Sequence, residues 1–140
     1  MKRNVLLDTG PLIAYLDRRD KFHEWSRDLW KDIEPPLLTC EAVISEACFL
    51  LSSIRDGVQG VFELLQRQIL TVSFRLTDET VSTASLLKKY ADLPMSVADA
   101  CLVRMAEQYH GSTIFTVDSD FRIYRKQGRQ VIPLISPKGI

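Results

Sequence analysis

The chain is poor in the residues that build zinc centres and histidine-dependent active sites. It has two histidines, His23 and His110, and three cysteines, Cys40, Cys48 and Cys101. No two cysteines stand at CxxC spacing, which excludes the common thiolate zinc and dithiol redox patterns. An odd number of thiols in apolar surroundings fits a reducing compartment and a packing role. Both histidines fall at surface or helix-end positions, and neither is expected to act as ligand or base. No P-loop, GxGxxG or Ser-His-Asp pattern is present. No apolar run approaches the ~20 residues of a membrane span. The first residues also lack the apolar core of a signal peptide, so a cytoplasmic location is expected. Charge of either sign is not in excess, with 18 Lys and Arg against 18 Asp and Glu. That balance excludes a strongly basic nucleic-acid binder but leaves a local basic patch open. At 140 residues, one domain spanning 1–140 with a real core is expected.

What the chain does have is concentrated in its first stretch, NVLLDTGPLIAYLD, residues 4 to 17. Val5, Leu6 and Leu7 form a short apolar run of the kind covered on both faces in a parallel sheet. It ends at Asp8. Gly10 permits a sharp turn and Pro11 suits the first turn of a helix. Leu12, Ile13, Tyr15 and Leu16 then suit a helix packed back on the strand. Asp8 is therefore expected at the carboxyl end of a first, central strand, the edge where open α/β sheets bind ligands. It also suits a helix N-cap. Asp-Thr-Gly occurs in small dimeric aspartic proteases, but those are β-rich and this chain reads as mostly helical. Haloacid-dehalogenase-type phosphatases need a second Asp two residues on, where this chain has Gly10.

Helical spacing predicts further helices over Phe22–Ile33, Glu41–Ile54, Val58–Ile69, Thr77–Tyr90 and Ser96–Tyr109, with Thr77-Asp-Glu-Thr80 as a capping pattern. Strands are predicted at Leu37–Cys40, Leu70–Phe74, Thr113–Val117 and Val131–Ile135, and a short basic helix is expected after Asp118, reaching Lys126. Strands alternating with helices imply a three-layer α/β/α sandwich with a central parallel sheet of four to five strands. No internal repeat or low-complexity segment interrupts it.

Three further acids stand out. Glu46 falls on the flank of the apolar stripe of its helix, with Phe49 and Leu50 rather than a base at i+3 and i+4. A solvated helix edge explains it equally well. Asp99 lies in a helix apolar over most of its circumference. Ser96 and Asp99 match a capping box, yet a carboxylate there is costly unless paired or bound to a cation. Asp118 ends the fourth strand as Asp8 ends the first, and could again be an N-cap. Asp120 could simply complement the helix dipole. Asp8 and Asp118 would share one rim of the sheet, and two helices can bring Glu46 and Asp99 to it. Unpaired carboxylates so gathered repel, so the set calls for divalent cations. Oxygen ligands without His or Cys favour Mg²⁺ or Mn²⁺ over Zn²⁺.

Four segments in order, LLDTGPLIAYLD, VISEACFLL, DLPMSVADACLVRMAE and FTVDSDF, make the chain resemble a PIN domain, most of all the VapC-type toxin ribonucleases. The resemblance covers nearly the whole chain. It implies that Asp8, Glu46, Asp99 and Asp118 are the catalytic, metal-binding acids, with Thr116 and Asp120 as auxiliaries. It implies Mg²⁺- or Mn²⁺-dependent hydrolysis of RNA to 5′-phosphate and 3′-hydroxyl ends. Asp8 and Asp99 would hold the principal ion, with Glu46 and Asp118 as direct or water-mediated ligands. It further implies an RNA substrate, an antitoxin partner lying across the acidic rim, and a homodimer. A PIN nuclease of RNA processing or quality control, and a non-catalytic RNA- or protein-binding PIN-like module, are the alternatives. Candidate phosphate contacts are Arg18, Arg19 and Lys21, and Arg122, Arg125, Lys126 and Arg129; a solvated charged face explains either cluster as well. Phe22, Trp25 and Trp30 read as core or as a partner surface.

Overall fold

A computed structural model describes all residues 1–140. Five short strands form one parallel sheet: β1 (Val5–Leu7), β2 (Leu37–Thr39), β3 (Leu70–Val72), β4 (Thr113–Phe115) and, last in the chain, β7 (Leu134–Ile135). Their order is β3-β2-β1-β4-β7, so β1 is central as expected. Six helices flank the sheet: α1 (Thr9–Leu16), α2 (His23–Trp30), α3 (Glu41–Leu50), α4 (Gly57–Gln66), α5 (Thr80–Lys89) and α6 (Val97–Gln108). The chain lays strands to one side of β1 through β3, then crosses back to lay β4 and β7 on the other. The crevice beyond β1 and β4 is therefore the topological switch point of the sheet.

Val5, Leu6 and Leu7 are all buried, which is why the run needs no polar alternation. α6 contributes seven buried apolar residues, Ala98, Ala100, Cys101, Leu102, Val103, Met105 and Ala106, and is the deep helix its composition suggested. α3 packs against both α1 and α6, and so reaches the crevice. Trp30 is buried and stacks on Tyr15 at 4.1 Å, and Trp25 meets Phe115 edge-on at 5.4 Å. The tryptophans of α2 therefore belong with the core. No helix is long and apolar enough to cross a membrane.

Several elements differ from expectation. α2 stops at Trp30, since Lys2 bridges to Ile33 and draws that residue out of the helix. α3 ends at Leu50 rather than Ile54, and the Ser52 hydroxyl donates to the Phe49 carbonyl at 2.7 Å. Phe49 and Leu50, the i+3 and i+4 neighbours of Glu46, are 77% and 52% exposed. Thr77 caps nothing. A 3₁₀ turn at Leu76–Glu79 precedes α5, and the Thr80 hydroxyl bonds back to the Leu76 and Thr77 carbonyls.

The basic helix expected to reach Lys126 is a single 3₁₀ turn, Ser119–Arg122. A small antiparallel hairpin follows, β5 (Arg125–Lys126) and β6 (Gln130–Val131). Gln127 and Gly128, at φ 53° and 82°, make the turn of this hairpin, and pairing with β6 holds Arg125 and Lys126 extended rather than helical. The strand expected over Val131–Ile135 is split between two partners. Val131 pairs with β5, whereas Leu134 and Ile135 join β4, and Pro133 between them has no N–H for a ladder.

Candidate active site

Parallel register places the first contact of the site. Leu7 is level with Phe115, so Asp8 and Thr116 each stand one residue beyond, side by side at the carboxyl edge. The Thr116 hydroxyl donates to Asp8 Oδ2 at 2.7 Å and accepts from the Asp118 backbone N–H at 2.9 Å. One buried threonine thus ties the two strand-end acids together. Asp8 Oδ1 accepts from Thr9 N–H at 2.8 Å, as the N-cap of α1, and Asp118 accepts from Asp120 N–H at 2.9 Å. The capping role of each acid is real and coexists with a place at the rim.

Gly10 is needed for space rather than for a turn. It lies inside α1, and a Cβ there would stand 2.3 Å from Val117 Cγ2. The start of α1 can approach the end of β4 that closely only without a side chain.

Asp99 is held by the expected capping box with Ser96: the Asp99 N–H donates to Ser96 Oγ at 3.0 Å, and Ser96 N–H donates to Asp99 Oδ2 at 3.3 Å. The Tyr124 hydroxyl donates to the same Oδ2 at 3.2 Å. Sequence reasoning missed Tyr124. The aromatic pair Phe121 and Tyr124, three residues apart after Asp118, was the available signal.

Asp8, Asp99, Glu46 and Asp118 all line one cavity of about 340 Å³ at this crevice. Asp8 and Asp99 are buried, Asp118 is half-buried and Glu46 is exposed on α3. None of the four takes part in an ion pair. Burial, first, and the charges of Asp99 and Asp118 push the Asp8 carboxyl up to about 7, against the opposing bonds from Thr116 and Thr9. Burial and the charge of Asp118 raise Asp99 as well, with Ser96 and Tyr124 opposing. Burial, then Asp99, raises the Tyr124 phenol, which stays a donor.

No three acidic, His or Cys side chains stand at the spacing of a preassembled metal-ligand cluster. Four carboxylates with no counter-charge repel one another, and Glu46 stands exposed on α3. The donor set itself fits a hard divalent cation: carboxylate oxygens only, no nearby Lys or Arg, and Asp99 Oδ1 without any hydrogen bond. Asp120 is half-buried in the 3₁₀ turn and lies outside the cavity lining.

The basic residues divide. Arg125 Nη1 donates to the carbonyls of Arg122, Ile123 and Tyr124, and so closes the 3₁₀ turn. Arg122 reaches Ser136, Arg19 reaches Asp17, and Lys21 lies over the Phe22 ring. Arg18, Lys126 and Arg129 make no such contact. His23 is half-buried against the Ala14 carbonyl at 2.6 Å, and His110 is exposed, both away from the cavity.

The PIN domain family model matches residues 5–127. The chain belongs to the PIN domain family. A curated relative, Ribonuclease VapC26 of Mycobacterium tuberculosis, is 27% identical over 118 residues, covering 81% of this chain and 86% of that protein. Two solved PIN structures share the fold. One is Mycobacterium tuberculosis VapC20, described as a sarcin-ricin loop cleaving toxin. It has a TM-score of 0.71 at 18% identity, over 83% of this chain and 91% of that one. The other is VapBC2 from Rickettsia felis, solved bound to a DNA fragment from their promoter. It has a TM-score of 0.62 at 13% identity, over 98% of this chain and 100% of that one. The five-stranded parallel sheet with helices on its faces is thus a PIN architecture.

Proposed function

We propose that this PIN domain is a divalent-metal-dependent endoribonuclease, and the toxin of a type II toxin–antitoxin pair. The observation that carries the proposal is one cavity at the switch point lined by four acids, none with a basic partner. A capping or solvation role explains each acid singly, but not why two are buried uncompensated in the same place. The resemblance to a VapC ribonuclease over most of the chain supports the choice of substrate and reaction.

In this reading Asp8 and Asp99 hold Mg²⁺ or Mn²⁺ between them, with Glu46 and Asp118 completing the set directly or through water. The bound cation supplies Lewis acidity toward a water and toward the scissile phosphate, stabilising charge on the leaving oxygen. Thr116 keeps Asp8 and Asp118 in register. One of the four carboxylates also accepts the proton of the attacking water. Arg18, Lys126 and Arg129 are the cations available to RNA phosphates. The toxin role brings with it an antitoxin partner and, as in the family resemblance, a homodimer.

The test is cleavage of a structured RNA by the purified chain with Mg²⁺, compared with Asp99→Asn and with wild type in EDTA. Cleavage by wild type alone, leaving 5′-phosphates, is expected. Undiminished cleavage by Asp99→Asn would refute the site. Growth arrest on expression, relieved by the same substitution, separates a toxin from an RNA-processing nuclease.

A further inference from the structure

We infer that Tyr124 is a positioning residue for Asp99, pinning one carboxylate oxygen so that the other is presented to the acidic cavity. This rests on the metal-nuclease reading and adds to it a residue outside the acid set. Two donors converge on Asp99 Oδ2, the Ser96 N–H at 3.3 Å and the Tyr124 hydroxyl at 3.2 Å. Oδ1 has no protein partner, while Asp99 lines the cavity. The terminal torsion of an Asp side chain is broad and easily turned. A second donor on the same oxygen resists that rotation.

The hydroxyl is placed by a scaffold that does not depend on Asp99. Tyr124 is fully buried, its ring edge-on to Tyr90 at 5.1 Å and to Phe121 at 5.3 Å. The Tyr90 hydroxyl accepts from Arg125 N–H at 2.9 Å, clamping the residue next to Tyr124. Beyond it, Gln127 N–H donates to Glu107 on α6 at 2.6 Å, and Lys89 on α5 donates to the Gly128 carbonyl at 3.0 Å. The hairpin is thus fastened to α5 and α6, and Tyr124 at its root is preorganised. Outer partners that orient a ligand in this way typically change metal affinity by about 10–100-fold when removed.

The experiment is calorimetric titration of the full chain with Mn²⁺ at pH 7.5, for wild type, Tyr124→Phe and Phe121→Leu, with thermal melts in EDTA alongside. Tyr124→Phe keeps the ring and loses only the hydroxyl. It is expected to fold and to bind Mn²⁺ about tenfold more weakly. Phe121→Leu loosens the same ring contacts and keeps the hydroxyl. It is expected to melt earlier and yet to bind Mn²⁺ more tightly than Tyr124→Phe does. Equal affinity of wild type and Tyr124→Phe overturns the inference, and so do equal losses in both variants, which would mark a purely structural role. No Mn²⁺ uptake by the wild type overturns the metal-nuclease reading itself, and the first titration tells the two failures apart.

Discussion

Replacing Asp8 by Asn should stabilise the metal-free protein at neutral pH and destabilise it in acid. Asp8 is buried, and its carboxyl is raised from 3.8 to about 7, chiefly by burial. The folded state therefore keeps its proton after the unfolded state has lost it. Below about pH 4 both states are protonated and no penalty exists. Between about 4 and 7 the penalty grows, and above 7 it is complete. A rise of that size corresponds to ~4 kcal/mol of lost stability. Asn carries no charge but offers one acceptor oxygen where Thr9 N–H and the Thr116 hydroxyl both donate, a loss of ~1 kcal/mol. The variant should thus be ~3 kcal/mol more stable than wild type at pH 8 and ~1 kcal/mol less stable at pH 4. Urea denaturation in EDTA across that range, followed by fluorescence of the core residues Trp25 and Trp30, measures both. Saturating Mg²⁺ should close the gap at pH 8 by stabilising wild type only. A variant destabilised equally at both pH values would refute the reasoning, because ionised Asp8 would then carry no uncompensated cost.

Other expectations are simpler. Thr116→Val removes a bond to Asp8 and the acceptor of Asp118 N–H, so it should cost ~1–3 kcal/mol in urea denaturation and raise the Asp8 carboxyl further. Gly10→Ala should cost ~1–3 kcal/mol through its contact with Val117, and Val117→Ala in the same chain should restore much of the loss in thermal melts. Arg125→Ala, which removes the closure of the 3₁₀ turn, should lower thermal stability, whereas Lys126→Ala and Arg129→Ala should leave it unchanged and weaken RNA binding in a salt-dependent way.

Much of the fold was legible in local pattern. The apolar run ending at Asp8 announced a central buried strand, and Ser96 with Asp99 announced the start of α6. Glu46 could be placed on a helix flank by rotation alone. What periodicity could not show is which faces meet. The Thr116–Asp8 bond spans 108 positions and depends on the register of β1 with β4. Tyr124 was hidden because Arg122, Arg125 and Lys126 made its segment read as a basic helix. The chain is turned there by left-handed residues Gln127 and Gly128, and one arginine is spent on backbone carbonyls. Gly10 looked like a turn residue and proved to be a gap for Val117, a distinction that only a tertiary neighbour can make.

The central claim is that Asp8 and Asp99, distant in sequence, bind one cation together. Calorimetric titration of wild type, Asp8→Asn and Asp99→Asn with Mn²⁺ at pH 6 and pH 8 tests it most directly. Wild type should bind, more tightly at pH 8 because the raised carboxyl of Asp8 must lose its proton first, and either substitution should abolish binding. Equal Mn²⁺ affinity in all three proteins, or in wild type at both pH values, would contradict the account.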